Sequence, residues 1–303
     1  MSVDLAGIKL RSPIVTASGC FASGREISEF IDLNSIGAVV VKSMTVEPWP
    51  GKPTPRMAET PSGMLNAIGL QNKGVEHFLA VDLPWLLQQD VPVIASIAGN
   101  TVGEFIQVAD RLRRAEGVAA IEVNISCPNL EDRNNMFAHD PRATASVIGA
   151  VQRSVSVPVF AKLSPNVTNI VEIAEAAVEA GAHGLSLINT VVGMAIDIET
   201  ARPKLAGVLG GLSGPAIRPI AVRAVFEVHR ALPQVPIIGM GGVMTHEDAI
   251  ELIMVGATAV AIGTANFINP KATQEINQEM SAWLGARGLR SVSALKGQVK
   301  LEG

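Results

Sequence analysis

Cys127 stands in the stretch 121–129, IEVNISCPN, directly after an apolar run and between Ser126 and Pro128. A thiol can serve as a base, a nucleophile or a metal ligand. No zinc-ligand spacing accompanies it, which argues against a metal. The five histidines (His77, His139, His183, His229, His246) form no adjacent triad signature, which argues against a hydrolase. His183, His229 and His246 read as structural; His139, in the loop after Cys127, is the remaining partner candidate. Cys20 reads as a small core residue. Around Cys127 the asparagines accumulate: Asn66 in LNAIGL, Asn124 and Asn129 flanking the thiol, and Asn189 beside Thr190. Each amide offers both donor and acceptor, so together they describe a neutral polar pocket for a cyclic imide or ureide. In such a pocket the cysteine can remove a carbon-bound proton.

Two lysines, Lys42 in VVVKS and Lys162 in VFAKL, interrupt apolar runs. A charge there must face a site or meet a partner, because burying it alone is costly. Such a lysine could hold an anionic group, stabilise a reduced flavin ring or form a Schiff base with a carbonyl. A separate feature is the pair IIGMGGVMTHEDA and AVAIGTANF. Gly241, Gly242 and Gly263 allow close backbone approach, and loops after the last two strands of a barrel commonly bind phosphate.

These residues need a scaffold that brings eight strand ends together. Short β-branched runs occur at 12–18, 36–43, 91–98, 119–126, 157–164, 183–190, 235–242 and 257–264. Continuous apolar runs of this length suit strands covered on both faces. Amphipathic segments fall between them, at 101–117, 166–181 and 244–257, the last with Thr245 and Asp248 spaced as a capping box. The alternation predicts an α/β fold, a (β/α)8 TIM barrel with extended loops over the C-terminal rim. A doubly wound sheet is the competing arrangement. The strand ends carry Ser18, Lys42, Ser43, Ser96, Asn124, Lys162, Asn189 and Thr264, where barrel active sites are built. Connections 44–73 and 190–214 are too long for plain turns, and long loops on one rim usually cover a ligand. The reading is one domain over 1–303, with no internal repeat.

With 303 residues, 48% hydrophobic, the chain can bury a full core. A net charge of -4 argues against nucleic acid or an anionic membrane as main partner. Two cysteines fit a reducing compartment, and neither a signal peptide nor a membrane span is visible, so a cytoplasmic protein is expected.

The motifs VNISCPN, LNAIGLQN, VVVKSMT, FAKLSPN, LINTVVGM, GGLSGPAIRP, GMGGVMTHEDA and AIGTANF together resemble the flavin-dependent dihydroorotate dehydrogenases, over about 12–267. Cysteine in SCPN resembles class 1, since class 2 enzymes carry serine there; NAIGLQN and TVVGMAIDIETARPKL look most like the class 1B catalytic subunit. The resemblance implies FMN as cofactor and oxidation of dihydroorotate to orotate in pyrimidine biosynthesis. Cys127 would be the base taking the C5 proton while hydride leaves C6 for FMN. Lys42 would contact the substrate carboxylate and the flavin. Asn66, Ile68, Gly69, Leu70, Asn124, Asn129, Asn189 and Thr190 would hold the pyrimidine. Ser18, Ser43, Ser96, Asn124, Lys162, Ile188 and Gly214 would line FMN, its phosphate on Gly241, Gly242, Gly263 and Thr264. The resemblance further implies a homodimer at the core of a heterotetramer, with an electron-transfer subunit carrying FAD and an iron–sulfur cluster and passing electrons to NAD+. The chain departs from the family at Ser96, where asparagine is usual, at Lys73, where proline is common, and in the loop 130–142. Alternative readings are a fumarate-dependent class 1A type, a dihydropyrimidine dehydrogenase barrel and a barrel that senses a phosphorylated metabolite without catalysis.

Overall fold

A computed structural model of the chain describes residues 1–126 and 137–301. Eight parallel strands form the central sheet: β1 Ile14–Thr16, β2 Val39–Val40, β3 Val93–Ile97, β4 Val118–Asn124, β5 Val159–Lys162, β6 Gly184–Leu187, β7 Ile237–Met240 and β8 Ala259–Ile262. Each coincides with a run read from the sequence, β4 starting one residue ahead of its run, at Val118. Their order is β1-β8-β7-β6-β5-β4-β3-β2, and the sheet closes between β1 and β2 through the Val15–Ala38 bridge. The Thr16 hydroxyl reinforces that seam, accepting from Val40 N at 2.8 Å. The result is the expected barrel. The strands are buried along their length because helices cover the outside and side chains fill the inside.

The helices follow from local sequence. Val102–Leu112 starts where the Thr101 side chain accepts from Glu104 N, and it buries Phe105, Val108, Ala109 and Leu112 against the barrel. Phe105 meets Phe137 edge-on at 5.9 Å; truncating so buried a ring costs about 3–5 kcal/mol. His246–Met254 carries the capping box, with Thr245 and Asp248 bonded reciprocally. Asp248 also receives Arg218, which ties this helix to Arg218–Ala231.

The two long connections fold onto each other. Met57–Thr60 and Gly63–Asn66 make a hairpin from the first; Val191–Gly193 and Gly210–Ser213 come from the second. All four join one antiparallel sheet over the rim, with Leu65 opposite Leu212 and Asn66 opposite Gly211. Leu65, Ala67 and Leu205 form its small apolar core. The sequence marks both connections as too long for plain turns; what it does not display is the pairing between segments so far apart. Among the described residues, no helix is long and apolar enough to cross a membrane.

Candidate active site

Two adjoining cavities open at the C-terminal ends of the strands. The larger, about 400 Å³, is within the range of small-molecule sites. It is lined by Lys42, Ser43, Asn66, Ile68, Gly69, Leu70, Asn124, Asn189 and Thr190. The smaller, about 80 Å³, is lined by Ile188, Gly214, Gly241, Gly242, Gly263 and Thr264. Ser18, Cys20, Lys162, Asn189, Thr190 and Ser213 line both. Residues scattered from Ser18 to Thr264 thus meet at one mouth because each ends a parallel strand or caps one through the rim sheet. A third cleft, about 880 Å³, is lined by Lys42 together with Ala22, Trp49, Asn72 and His77; none of Gly241, Gly242 or Gly263 lines it. Chemistry, rather than size, therefore singles out the paired cavities.

The glycine end brings bare backbone close to the cavity wall. Gly242 has φ +77°, and a Cβ there would sit 2.7 Å from Arg218 N, so the loop admits no side chain. The Thr264 hydroxyl donates to Ser213 Oγ at 2.8 Å, linking the β8 loop to the rim sheet. Glycine cradle at one end, lysines and amides at the other: this donor set fits an elongated ligand with a phosphate tail and a polar ring.

At the amide end, Asn189 Nδ2 donates to the Ser126 carbonyl at 3.1 Å and hydroxyl at 2.9 Å, while its Oδ1 accepts from Thr190 N at 2.7 Å. Ser126 Oγ donates to Asn124 Oδ1 at 3.2 Å, and Asn124 Nδ2 donates to Ser43 Oγ at 2.9 Å. Asn66 Nδ2 reaches Gly211 O at 3.3 Å. Leu70 adopts a left-handed φ of +59°, unusual for a branched residue. Asn72 sustains it, donating to Leu70 O at 2.7 Å and accepting from Gly74 N at 2.8 Å. Cys127 and Asn129 lie outside the described residues.

The sequence reading needs correction at two places. Ser96 is fully buried and lies behind Ser43, outside the lining of both cavities. Its hydroxyl is 2.8 Å from Ser43 Oγ and donates to Glu122 Oε1 at 3.0 Å. The side chain is too short to reach past Ser43, so it supports the wall instead of forming it. Cys20 is no anonymous core residue, since it lines both cavities. Burial pushes its thiol up, against the opposing pull of the Lys162 and Lys42 charges. Burial also lowers the pKa of His139, at the end of the turn Phe137–His139.

One residue went unnoticed in the sequence. Glu122, on β4, is completely buried, and its Oε1 lies 3.6 Å from Lys162 Nζ. The signal was there: a carboxylate in an apolar run, two residues before Asn124 and so on the same strand face.

Fold and site define a (β/α)8 barrel with a glycine-lined end and an amide-rich end at one mouth. A family profile described as Dihydroorotate dehydrogenase matches residues 1–284, and the chain belongs to that family of oxidoreductases. Among curated relatives, the dihydroorotate dehydrogenase B (NAD(+)) catalytic subunit of Geotalea daltonii is 51% identical over 301 residues, covering 99% of this chain and 98% of that one. The protein of the same name from Anoxybacillus flavithermus is 53% identical over 298 residues, covering 98% and 95%. Among solved structures, an Eimeria tenella DHODH in complex with ferulenol superposes with a TM-score of 0.82 over 98% of this chain and 88% of its own, at 22% identity, which bears on the fold alone.

Proposed function

We propose that this chain is the catalytic subunit of an NAD+-linked dihydroorotate dehydrogenase that binds FMN and oxidises dihydroorotate to orotate in pyrimidine biosynthesis. The observation that carries the reading is the junction of the two cavities at Ser18 and Lys162, with a glycine cradle on one side and the Asn66–Asn124–Asn189 amides on the other. FMN would lie with its phosphate on Gly241, Gly242, Gly263 and Thr264, and its ring between Ser18, Ser43, Asn124, Lys162, Ile188 and Gly214. When bound, FMN supplies the hydride acceptor that the protein's own side chains lack.

The chain's residues do the rest. Lys42 attracts the substrate carboxylate at the mouth. Asn66, Asn124, Asn129, Asn189 and Thr190, with the backbone of Ile68, Gly69 and Leu70, hold the pyrimidine by its amide edges. Cys127 follows directly on Ser126, whose carbonyl and hydroxyl are both engaged by Asn189. Its thiolate takes the C5 proton of dihydroorotate. The rim sheet keeps the ring dry, which strengthens each polar contact.

Among the described residues no cluster of three or more histidine, cysteine or acidic side chains could hold a metal ion. In our reading the electrons leave through a second subunit carrying FAD and an iron–sulfur cluster, docked on a homodimer of this chain in the cytoplasm. Expression of the chain with its own genomic neighbours tests this. Co-purification of an iron- and FAD-bearing chain that permits dihydroorotate-dependent NAD+ reduction is the expected result. Robust fumarate-dependent turnover by the chain alone would contradict it.

A further inference from the structure

Lys162 is 4% exposed, and among the described residues the acceptors beside its ammonium are Ser18 and Glu122. Lys162 Nζ donates to Ser18 Oγ at 2.9 Å, and Ser18 Oγ donates onward to Glu122 Oε1 at 2.9 Å. The same Oε1 accepts from Ser96, and among the described residues Oε2 has no partner. Glu122 is 0% exposed and lines neither cavity, whereas Lys162 lines both. The carboxylate therefore cannot act on a ligand directly; it acts on the lysine.

We propose that Glu122 is a positioning residue, whose buried carboxylate holds the Lys162 ammonium at the junction of the two cavities. A buried ammonium without a counter-charge is costly enough that it leaves the site or gives up its proton. Neutralising Glu122 therefore removes the cation from the cavity without touching Lys162 itself. The carboxylate also sets the sense of a hydroxyl chain. It can only accept, so Ser96 gives it its single proton, Ser43 must give its own to Ser96, and Ser43 meets Asn124 Nδ2 as an acceptor. One acid thus supports both Lys162 at the junction and, through Ser96 and Ser43, the Asn124 amide.

This inference rests on the reading that FMN occupies the cavities. The test is the midpoint potential of FMN bound to the purified full chain, measured by dye equilibration for wild type, Lys162→Met, Glu122→Gln and the double variant. Loss of the cation disfavours the anionic reduced ring. Lys162→Met and Glu122→Gln should therefore both lower the potential, by about tenfold in the redox equilibrium, or about 30 mV for a two-electron couple. The double variant should match Lys162→Met to within about twofold, because the two residues form one unit. An unchanged or raised potential in Glu122→Gln would overturn the proposal. If Glu122→Gln alone does not fold, the double variant, which carries a neutral pair, still decides by comparison with Lys162→Met; a clear difference between those two overturns the idea. A wild-type chain that takes up no FMN would instead overturn the functional reading beneath it.

Discussion

Asn189 Nδ2 donates to both the carbonyl and the hydroxyl of Ser126, at 3.1 and 2.9 Å, and so ties the end of β6 to the residue that precedes Cys127. Asn189 spends its oxygen on Thr190 N, which leaves the amide one orientation. Replacing Asn189 by alanine strands these partners in a buried setting, at about 1–3 kcal/mol. We expect kcat/KM for dihydroorotate to fall about ten- to hundredfold with flavin content unchanged. Steady-state kinetics and the visible absorbance of the purified variant check both halves.

Cys127→Ser separates proton abstraction from binding. A serine hydroxyl is far less acidic than a thiol of pKa about 8.5. Flavin reduction by dihydroorotate should slow by orders of magnitude near neutral pH, while FMN stays bound. In the parent protein the base works as thiolate, so the reduction rate should rise with pH through the thiol's titration. Rapid-mixing absorbance under anaerobic conditions reads both.

The glycine cradle is tested by Gly242→Ala. At φ +77° and 2.7 Å from Arg218 N, the new Cβ must move the β7 loop. Strain of about 1–3 kcal/mol is expected. FMN should dissociate more readily, as followed by fluorescence of the released flavin, while far-ultraviolet circular dichroism remains that of the parent.

His229 makes stability depend on pH at a place remote from the cavities. Burial, aided by the Lys296 charge, lowers its pKa, and its buried Nδ1 has no partner among the described residues. The folded state thus prefers the neutral ring. Above the unfolded-state value of about 6.5 the effect is silent; as pH falls below it the unfolded chain binds the proton first and stability drops. Tm should fall on acidification from pH about 7 toward 5, and His229→Asn should flatten that slope.

The barrel was legible because its eight strands announce themselves as largely apolar runs, several closing on a polar residue such as Lys42, Asn124 or Lys162. That residues as far apart as Ser18 and Thr264 line adjoining cavities was legible for the same reason, since strand termini converge in a closed sheet. The rim sheet was not, because the pairing of Leu65 with Leu212 joins segments far apart in the chain through glycine-rich strands of weak pattern. Ser96 was misplaced because a strand-end position fixes direction, and reach depends on what stands in front, here Ser43. Glu122 was missed because a single acid in an apolar run shows its meaning only once β5 brings Lys162 beside it.

The central claim is that dihydroorotate and a flavin meet at this barrel mouth. Anaerobic addition of dihydroorotate to the purified, FMN-loaded chain tests it most directly. Stoichiometric bleaching of the flavin's visible absorbance with formation of orotate is expected, and much weaker bleaching by dihydrouracil, which lacks the carboxylate for Lys42. A flavin that stays oxidised in the presence of excess dihydroorotate would contradict it.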